Sequence, residues 1–289
     1  MDYMTKALVL NDTARVYVVR STDITNEAIE RHDLWPSAAS VLGKAMTVGL
    51  MMGGMLKGDQ AVTIKLAGDG PLRQAIVDAD ANGNVRGYVD FPHVTLSKND
   101  GTLAESETLG KTGLIEVIKD LKMNDFFTSS IDFVYGDLAK DFTYYFASSE
   151  QTPSVVSLGS KFDVDNKCLV CGGIIIQLLP NATEETIVAI EKQLSKLNEF
   201  SKVLLENDNL ENIVKYLFND NYRVLEKVDV RFKCNCSREK FLGGIVSLGT
   251  KEIEAMINEG KDIETVCHYC EEKYTFTVEE LKKLLEGLN

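Results

Sequence analysis

The chain has 289 residues, 44% of them hydrophobic and 26% charged, with a formal net charge of −13. This composition excludes a disordered or fibrous chain, and the length exceeds what one ordinary core fills, which predicts at least two domains. The acidic balance opposes binding to a phosphate backbone by counterion release.

No apolar stretch reads as a membrane span: Val41–Leu56 contains Lys44 and several glycines, and Gly172–Leu179 is too short. The first residues, MDYMTKALVLNDTARVYVV, lack a basic leader region and carry their apolar residues in short strand-like runs, so a cytosolic location is expected. In that reducing compartment six cysteines at short local spacings point to metal ligands or redox-active thiols more than to structural disulfides.

Asp2–Leu10 and Ala14–Arg20 alternate apolar residues about Asn11-Asp12 and predict a hairpin. A helix is predicted over Trp35–Leu56, with Pro36 in its first turn and Ala38, Ala39, Gly43, Ala45, Gly49, Gly53 and Gly54 permitting close packing. Its methionines, Met46, Met51, Met52 and Met55, read as core filling in preference to a client-binding stripe. Ala61–Asp90 predicts a three-stranded meander, punctuated by Gly68-Asp69-Gly70-Pro71 and by Asn82-Gly83, a pair suited to a tight hairpin turn. Gly68-Asp69-Gly70 lacks the Lys-Ser/Thr of a phosphate loop and leads into a strand. Further strands are expected at Leu114–Leu121, Phe127–Tyr135, on both sides of Gly159 and through Gly172–Gln177, with a helix near Asp137–Ser148. Beyond Pro180, Glu184–Phe200, Lys202–Glu206 and Leu210–Phe218 have helical periodicity broken by Asn207-Asp208-Asn209 and Asn219-Asp220-Asn221. The fold class is therefore α+β: a large N-terminal mixed α/β domain with β-meanders and a packed helix (1–180), a helical connector (181–230) and a small C-terminal domain (231–289).

That last segment carries the strongest chemical signal. Cys234-Asn235-Cys236 follows strand-like Val228–Lys233 and precedes a helix starting near Ser237, while Cys267-His268-Tyr269-Cys270 lies between strand-like Asp262–Val266 and Lys273–Phe276. Two close thiol pairs brought together by a fold make the all-sulfur tetrahedral site that zinc prefers, so one Zn²⁺ per chain is expected on Cys234, Cys236, Cys267 and Cys270, with His268 a bystander. The metal could be an inert staple, because a segment of this size has a small core. The same dependence makes the segment conditional on its metal, and zinc-bound thiolates are what oxidants attack. Lys233, Arg238, Lys240 and Lys273 are near enough in sequence to offset part of the site's negative charge. Cys168-Leu169-Val170-Cys171 opens an apolar strand, where alternation sets the two thiols on opposite faces; both read as buried packing residues in preference to a thioredoxin-like site. No nucleophile can be matched to His32 or His93, and no catalytic residue is assigned.

With the cysteine arrangement in view, the chain resembles the thirty-three-kilodalton heat-shock protein family of redox-regulated bacterial holdase chaperones. The likeness also rests on GDGPLRQAIVDADANGNVRGYV from Gly68, DFTYYFASSEQTPSVVSLG from Asp141 and CGGIIIQLLP from Cys171. Cys171 stands where the family pattern has a small residue such as alanine. The resemblance implies a non-enzymatic, ATP-independent chaperone of the cytoplasm, inactive when reduced and zinc-bound. It implies that oxidation under partial unfolding joins Cys234 to Cys236 and Cys267 to Cys270, releases zinc, loosens the tail and connector, and favours a homodimer that binds unfolding client proteins. Nucleic acid and membrane are not expected partners. A nucleic-acid-binding zinc module is the competing reading that the acidic tail opposes, and a Cys168/Cys171 dithiol enzyme is the other.

Overall fold

In the computed structural model, which describes residues 1–288, three consecutive left-handed residues, Leu10, Asn11 and Asp12, turn β1 (Tyr3–Val9) back onto β2 (Ala14–Arg20). Helix α1 (Thr22–His32), for which the sequence analysis makes no prediction, follows directly. Trp35 is extended and Pro36 occupies the first turn of α2 (Pro36–Gly53), where its missing N–H costs nothing. The meander comes next, as β3 (Ala61–Gly68), β4 (Gln74–Asp80) and β5 (Asn84–Val89). Then follow α3 (Glu105–Leu109), β6 (Gly113–Asp120), β7 (Phe127–Asp132), α4 (Leu138–Ser148), β8 (Ser154–Phe162) and β9 (Cys168–Leu178).

Residues 181–230, where the sequence predicts a helical connector, hold α5 (Glu184–Glu191), α6 (Leu194–Leu197), α7 (Phe200–Glu206) and α8 (Leu210–Phe218), and then a strand, β10 (Tyr222–Asp229). After them come β11 (Arg231–Phe232), α9 (Arg238–Ser247), α10 (Thr250–Glu259), β12 (Ile263–Val266), β13 (Lys273–Phe276) and α11 (Val278–Leu288). The chain forms two compact units, one over Met1–Lys233 and a second that begins at Cys234.

The first unit is built on two sheets, ordered β10-β1-β2-β9-β8 and β11-β5-β4-β3-β6-β7. Helix α2 touches β3, β4 and β5 of one sheet and β2, β8 and β9 of the other. It is apolar on all sides because it is covered on all sides. Met46, Met51 and Met52 are buried in this core, in line with a filling role. Small residues set the approach: a Cβ on Gly53 would lie 2.5 Å from the Asp80 carbonyl oxygen. The meander alternates strictly, sending Val62, Ile64 and Leu66 of β3 and Ala75, Val77 and Ala79 of β4 inward. Outward, Asp78 accepts hydrogen bonds from Thr63 and Arg86 across the three strands. Gly68-Asp69-Gly70 leads into β4, as predicted.

On its far face the five-stranded sheet carries α5 to α8. Ile190, Leu197, Phe200, Leu204, Ile213 and Leu217 pack with Val16, Val18, Ile174 and Ile176 in one apolar cluster. Polar ties add direction: the Arg20 guanidinium donates to the carbonyls of Leu204 and Asn207 at the end of α7, both at 2.7 Å, and the Ser157 hydroxyl donates to the Leu197 carbonyl. The strand β10 then lies antiparallel to β1, Tyr3 opposite Asp229. The second unit is a β12–β13 hairpin with α9, α10 and α11 around a core of Ile245, Ile253, Phe276 and Leu281. Among the described residues no helix is long and apolar enough to cross a membrane.

Candidate metal centre

Two short pieces of chain supply the four thiols. Cys234 and Cys236 lie on the extended segment after β11, which ends at Ser237, whose hydroxyl caps α9 by accepting from the Lys240 N–H. Cys267 and Cys270 lie in the turn of the β12–β13 hairpin. There the Cys267 carbonyl accepts from the N–H groups of both Cys270 and Glu271, Glu271 takes a left-handed conformation, and the Cys267 N–H donates to the Glu272 carbonyl. The turn folds both side chains to the same side.

The four sulfurs lie within 4.8 Å of one another, with Cys234 Sγ 3.7 Å from Cys267 Sγ and Cys236 Sγ 3.4 Å from Cys270 Sγ. Around a tetrahedral ion with metal–sulfur bonds of about 2.3 Å, neighbouring sulfurs stand about 3.8 Å apart. The cluster is therefore already close to the size of a zinc shell and could hold a metal ion. Cys267 and Cys270 are buried, while Cys234 and Cys236 are half-buried. Burial pushes the Cys267 and Cys270 thiols up, and at Cys270 the neighbouring thiols add to it. A dication at the centre acts in the opposite sense by stabilising thiolates. His268 lies outside the four-sulfur group.

Sequence reasoning missed Tyr274, whose hydroxyl sits 3.2 Å from Cys236 Sγ and can donate to it. Its signal was the hairpin register, which pairs Tyr274 with Thr265 two places before the cysteine turn. Two of the nearby cations, Arg238 and Lys273, are engaged elsewhere. Arg238 donates to both carboxylate oxygens of Glu280 at 2.8 Å and stacks 4.4 Å over the Phe276 ring, and Lys273 pairs with Glu264. Lys240 donates to the Asn235 carbonyl between the first two cysteines at 2.6 Å. Arg238 and Lys273 thus brace the unit that carries the thiols.

Cys168 and Cys171 are buried, as expected, but they are not on opposite faces. The β8–β9 pairing slips between Lys161 and Phe162, so that Leu169 has no partner and the alternation is broken between the two cysteines.

A family model described as Hsp33 protein matches residues 2–277. Among known proteins, the chain is 46% identical to the 33 kDa chaperonin of Bacillus velezensis over 285 residues, 98% of each chain. It is 45% identical to that of Bacillus subtilis, again over 98% of each chain, and 44% identical to that of Staphylococcus aureus over 99% of each. Among solved structures, the crystal structure of the 33 kDa chaperonin (heat shock protein 33 homolog) of Thermotoga maritima superposes with a TM-score of 0.91 at 32% identity, covering 99% of this chain and 98% of that one.

Proposed function

The chain belongs to the Hsp33 family of chaperones, and on that premise we propose that it is a redox-regulated, ATP-independent holdase, held inactive by one zinc ion on Cys234, Cys236, Cys267 and Cys270. The observation that carries this reading is the convergence of these four thiols, from two separate pieces of chain, within 4.8 Å. Zinc would keep the sulfurs as thiolates and fasten the Cys-x-Cys segment to the hairpin turn.

Oxidation then joins Cys234 to Cys236 and Cys267 to Cys270. Each bridge removes two electrons from a pair of thiolates, and one peroxide takes them up with two protons from solvent to give two waters. All four ligands are consumed. In a tetrahedron each sulfur is equally near the other three, so the geometry admits cross-pairs as well; the local pairing rests on the family resemblance. A ring closed across a single intervening residue is strained, which favours reduction when the stress ends.

With its ligands gone, the second unit rests on a four-residue core and eight half-buried neighbours, less than an independent domain of its size needs. We assign residues 1–180 as the core domain, 181–230 as the connector and 231–289 as the redox-sensing segment. Loosening of α5 to α8 would bare Phe200, Leu204, Ile213 and Leu217 and the sheet face beneath them, an apolar surface of the kind that unfolding client proteins and a second copy of the chain bind. The protein acts in the cytoplasm, without catalysis, nucleic acid or membrane.

The test is to measure bound zinc and light scattering by an aggregating client together, before and after peroxide at a mildly denaturing temperature. About one zinc per chain should be released, with scattering suppressed afterwards. Scattering that is unchanged once zinc release is verified would sink the reading.

A further inference from the structure

The strand β9 loses its neighbour β2 at Gly172, which lies opposite Arg20. Beyond that point α1 takes over the strand's hydrogen bonds. The Asn26 side chain accepts from the Cys168 N–H and donates to the Cys168 carbonyl, both at 2.9 Å. Thr22 Oγ1 accepts from the Cys171 N–H at 3.1 Å, and the Ser21 N–H donates to the Cys171 carbonyl at 2.9 Å. On the strand's other side, Lys161 faces Val170 and Phe162 faces Cys168, so Leu169 bulges outward, 44% exposed.

The bulge has a chemical consequence. In an unbroken pleat residues three apart point to opposite faces; one unpaired residue between them restores the same face. Val170 joins the cluster under α7 and α8, whereas Cys168 and Cys171 turn the other way. Cys171 Sγ lies 3.7 Å from Thr47 Oγ1 on α2. Room for this sulfur exists because residue 43 is glycine: a Cβ there would lie 3.2 Å from Cys171 Sγ and 2.8 Å from Thr25 Cγ2. The donor set is lopsided. The Cys168 thiol and then the hydroxyls of Thr25, Ser21 and Thr47 hold the Cys171 thiol down, while the Cys171 thiol and burial push Cys168 up.

We propose that Cys168 and Cys171 form a second redox site, a dithiol that peroxide converts into an intrachain disulfide independently of the four-cysteine cluster. The Cys171 sulfur attacks one peroxide oxygen, the O–O bond breaks, and the departing hydroxide takes up a proton as water, leaving a sulfenic acid. The Cys168 sulfur displaces hydroxide from that sulfur and yields its proton to it, giving the disulfide and a second water. Two thiols lose two electrons and one peroxide gains them. Reaching a bond of about 2.05 Å tightens the bulge at Leu169, whose exposed side chain offers little packing resistance. Both sulfurs are buried, so peroxide must await a local opening of α1, and the bridge forms later than the loss of metal from the half-buried Cys234 and Cys236.

Trypsin cleavage after Lys167 and Lys192 isolates both cysteines in a peptide with no others, which makes the test direct. The full-length, zinc-loaded chain is treated with hydrogen peroxide, unfolded in guanidinium with N-ethylmaleimide, digested and weighed. The expected peptide 168–192 carries no label and is lighter by two hydrogens, and it appears after zinc release. Cys171→Ser should restore a label at Cys168 and leave the extent of zinc release unchanged. The proposal is overturned if peptide 168–192 takes two labels when the cluster cysteines take none, if it gains oxygens without a bridge, or if it is linked to a cluster cysteine. Loss of the Cys168 label in the Cys171→Ser chain would overturn it too.

Discussion

At the scale of single residues, the buried carboxyl of Asp2 makes a prediction about pH. Asp2 is 3% exposed; one oxygen accepts from the Ile24 N–H in the first turn of α1, and the other, Oδ1, has no hydrogen-bond partner. Burial is the largest influence and raises its pKa from 3.8 to about 6, against the opposing Ile24 bond. The folded chain therefore holds this proton more tightly than the unfolded chain does. Its contribution to stability is fully favourable below pH 3.8 and is lost as pH rises through about 6, a span worth about 3 kcal/mol. Asp2→Asn should match the parent at pH 4 and exceed it at pH 7.5 by up to that amount in denaturant midpoints. An identical pH slope in both chains would count against this account. The cysteine spacing was legible in the sequence because metal geometry demands it, and the four sulfurs converge as the spacing required. Asp2 was not legible, because its burial depends on α1 arriving from elsewhere in the chain. The facing of Cys168 and Cys171 was misread for a related reason: alternation is a property of one strand, but a bulge is decided by the register of its partner.

Among the elements, strands were the most readable. The meander of β3 to β5 buries one face, so its residues alternate, whereas β2 is buried on both faces and was legible from its apolar run. Helix α1 went unseen because TDITNEAIERH buries only Ile24, Thr25 and Ala28, too narrow a stripe to stand out. Much of the strand β10 was missed for the opposite reason to burial: it is a mostly exposed edge that takes its identity from β1. The seat of α7 rests on Gly159, where a Cβ would lie 2.3 Å from the Ser201 nitrogen and 2.8 Å from its Cα. Those are backbone atoms and cannot rotate aside. Gly159→Ala should lift α7 from β8 at a cost of about 1–3 kcal/mol and speed amide exchange over residues 200–206. If α5 to α8 form the switchable connector, the variant should also suppress aggregation at lower peroxide. Unchanged exchange would show that α7 has slack the close approach denies.

For the molecule as a whole, the two units differ in what sustains them. The first has two sheets around α2 and a second apolar layer; the second has Ile245, Ile253, Phe276 and Leu281. Chelation of metal under reducing conditions should therefore unfold the second unit alone, with loss of helical signal and cleavage by protease beyond Cys234, while the melting transition of the first persists. A single transition lost together would refute the division. The order of strands in the five-stranded sheet has a different consequence, one that concerns synthesis. The first strand made, β1, takes an outer neighbour from residues 222–229, and β2 takes β9 from residues 168–178. While the ribosome is still translating the middle of the chain, β1 and β2 have only each other, an isolated hairpin that is marginal in water and open at both edges. Closing such long loops is entropically expensive and slow. A chaperone of this topology must itself pass through a stage in which most of its length has emerged and its own edges await protection.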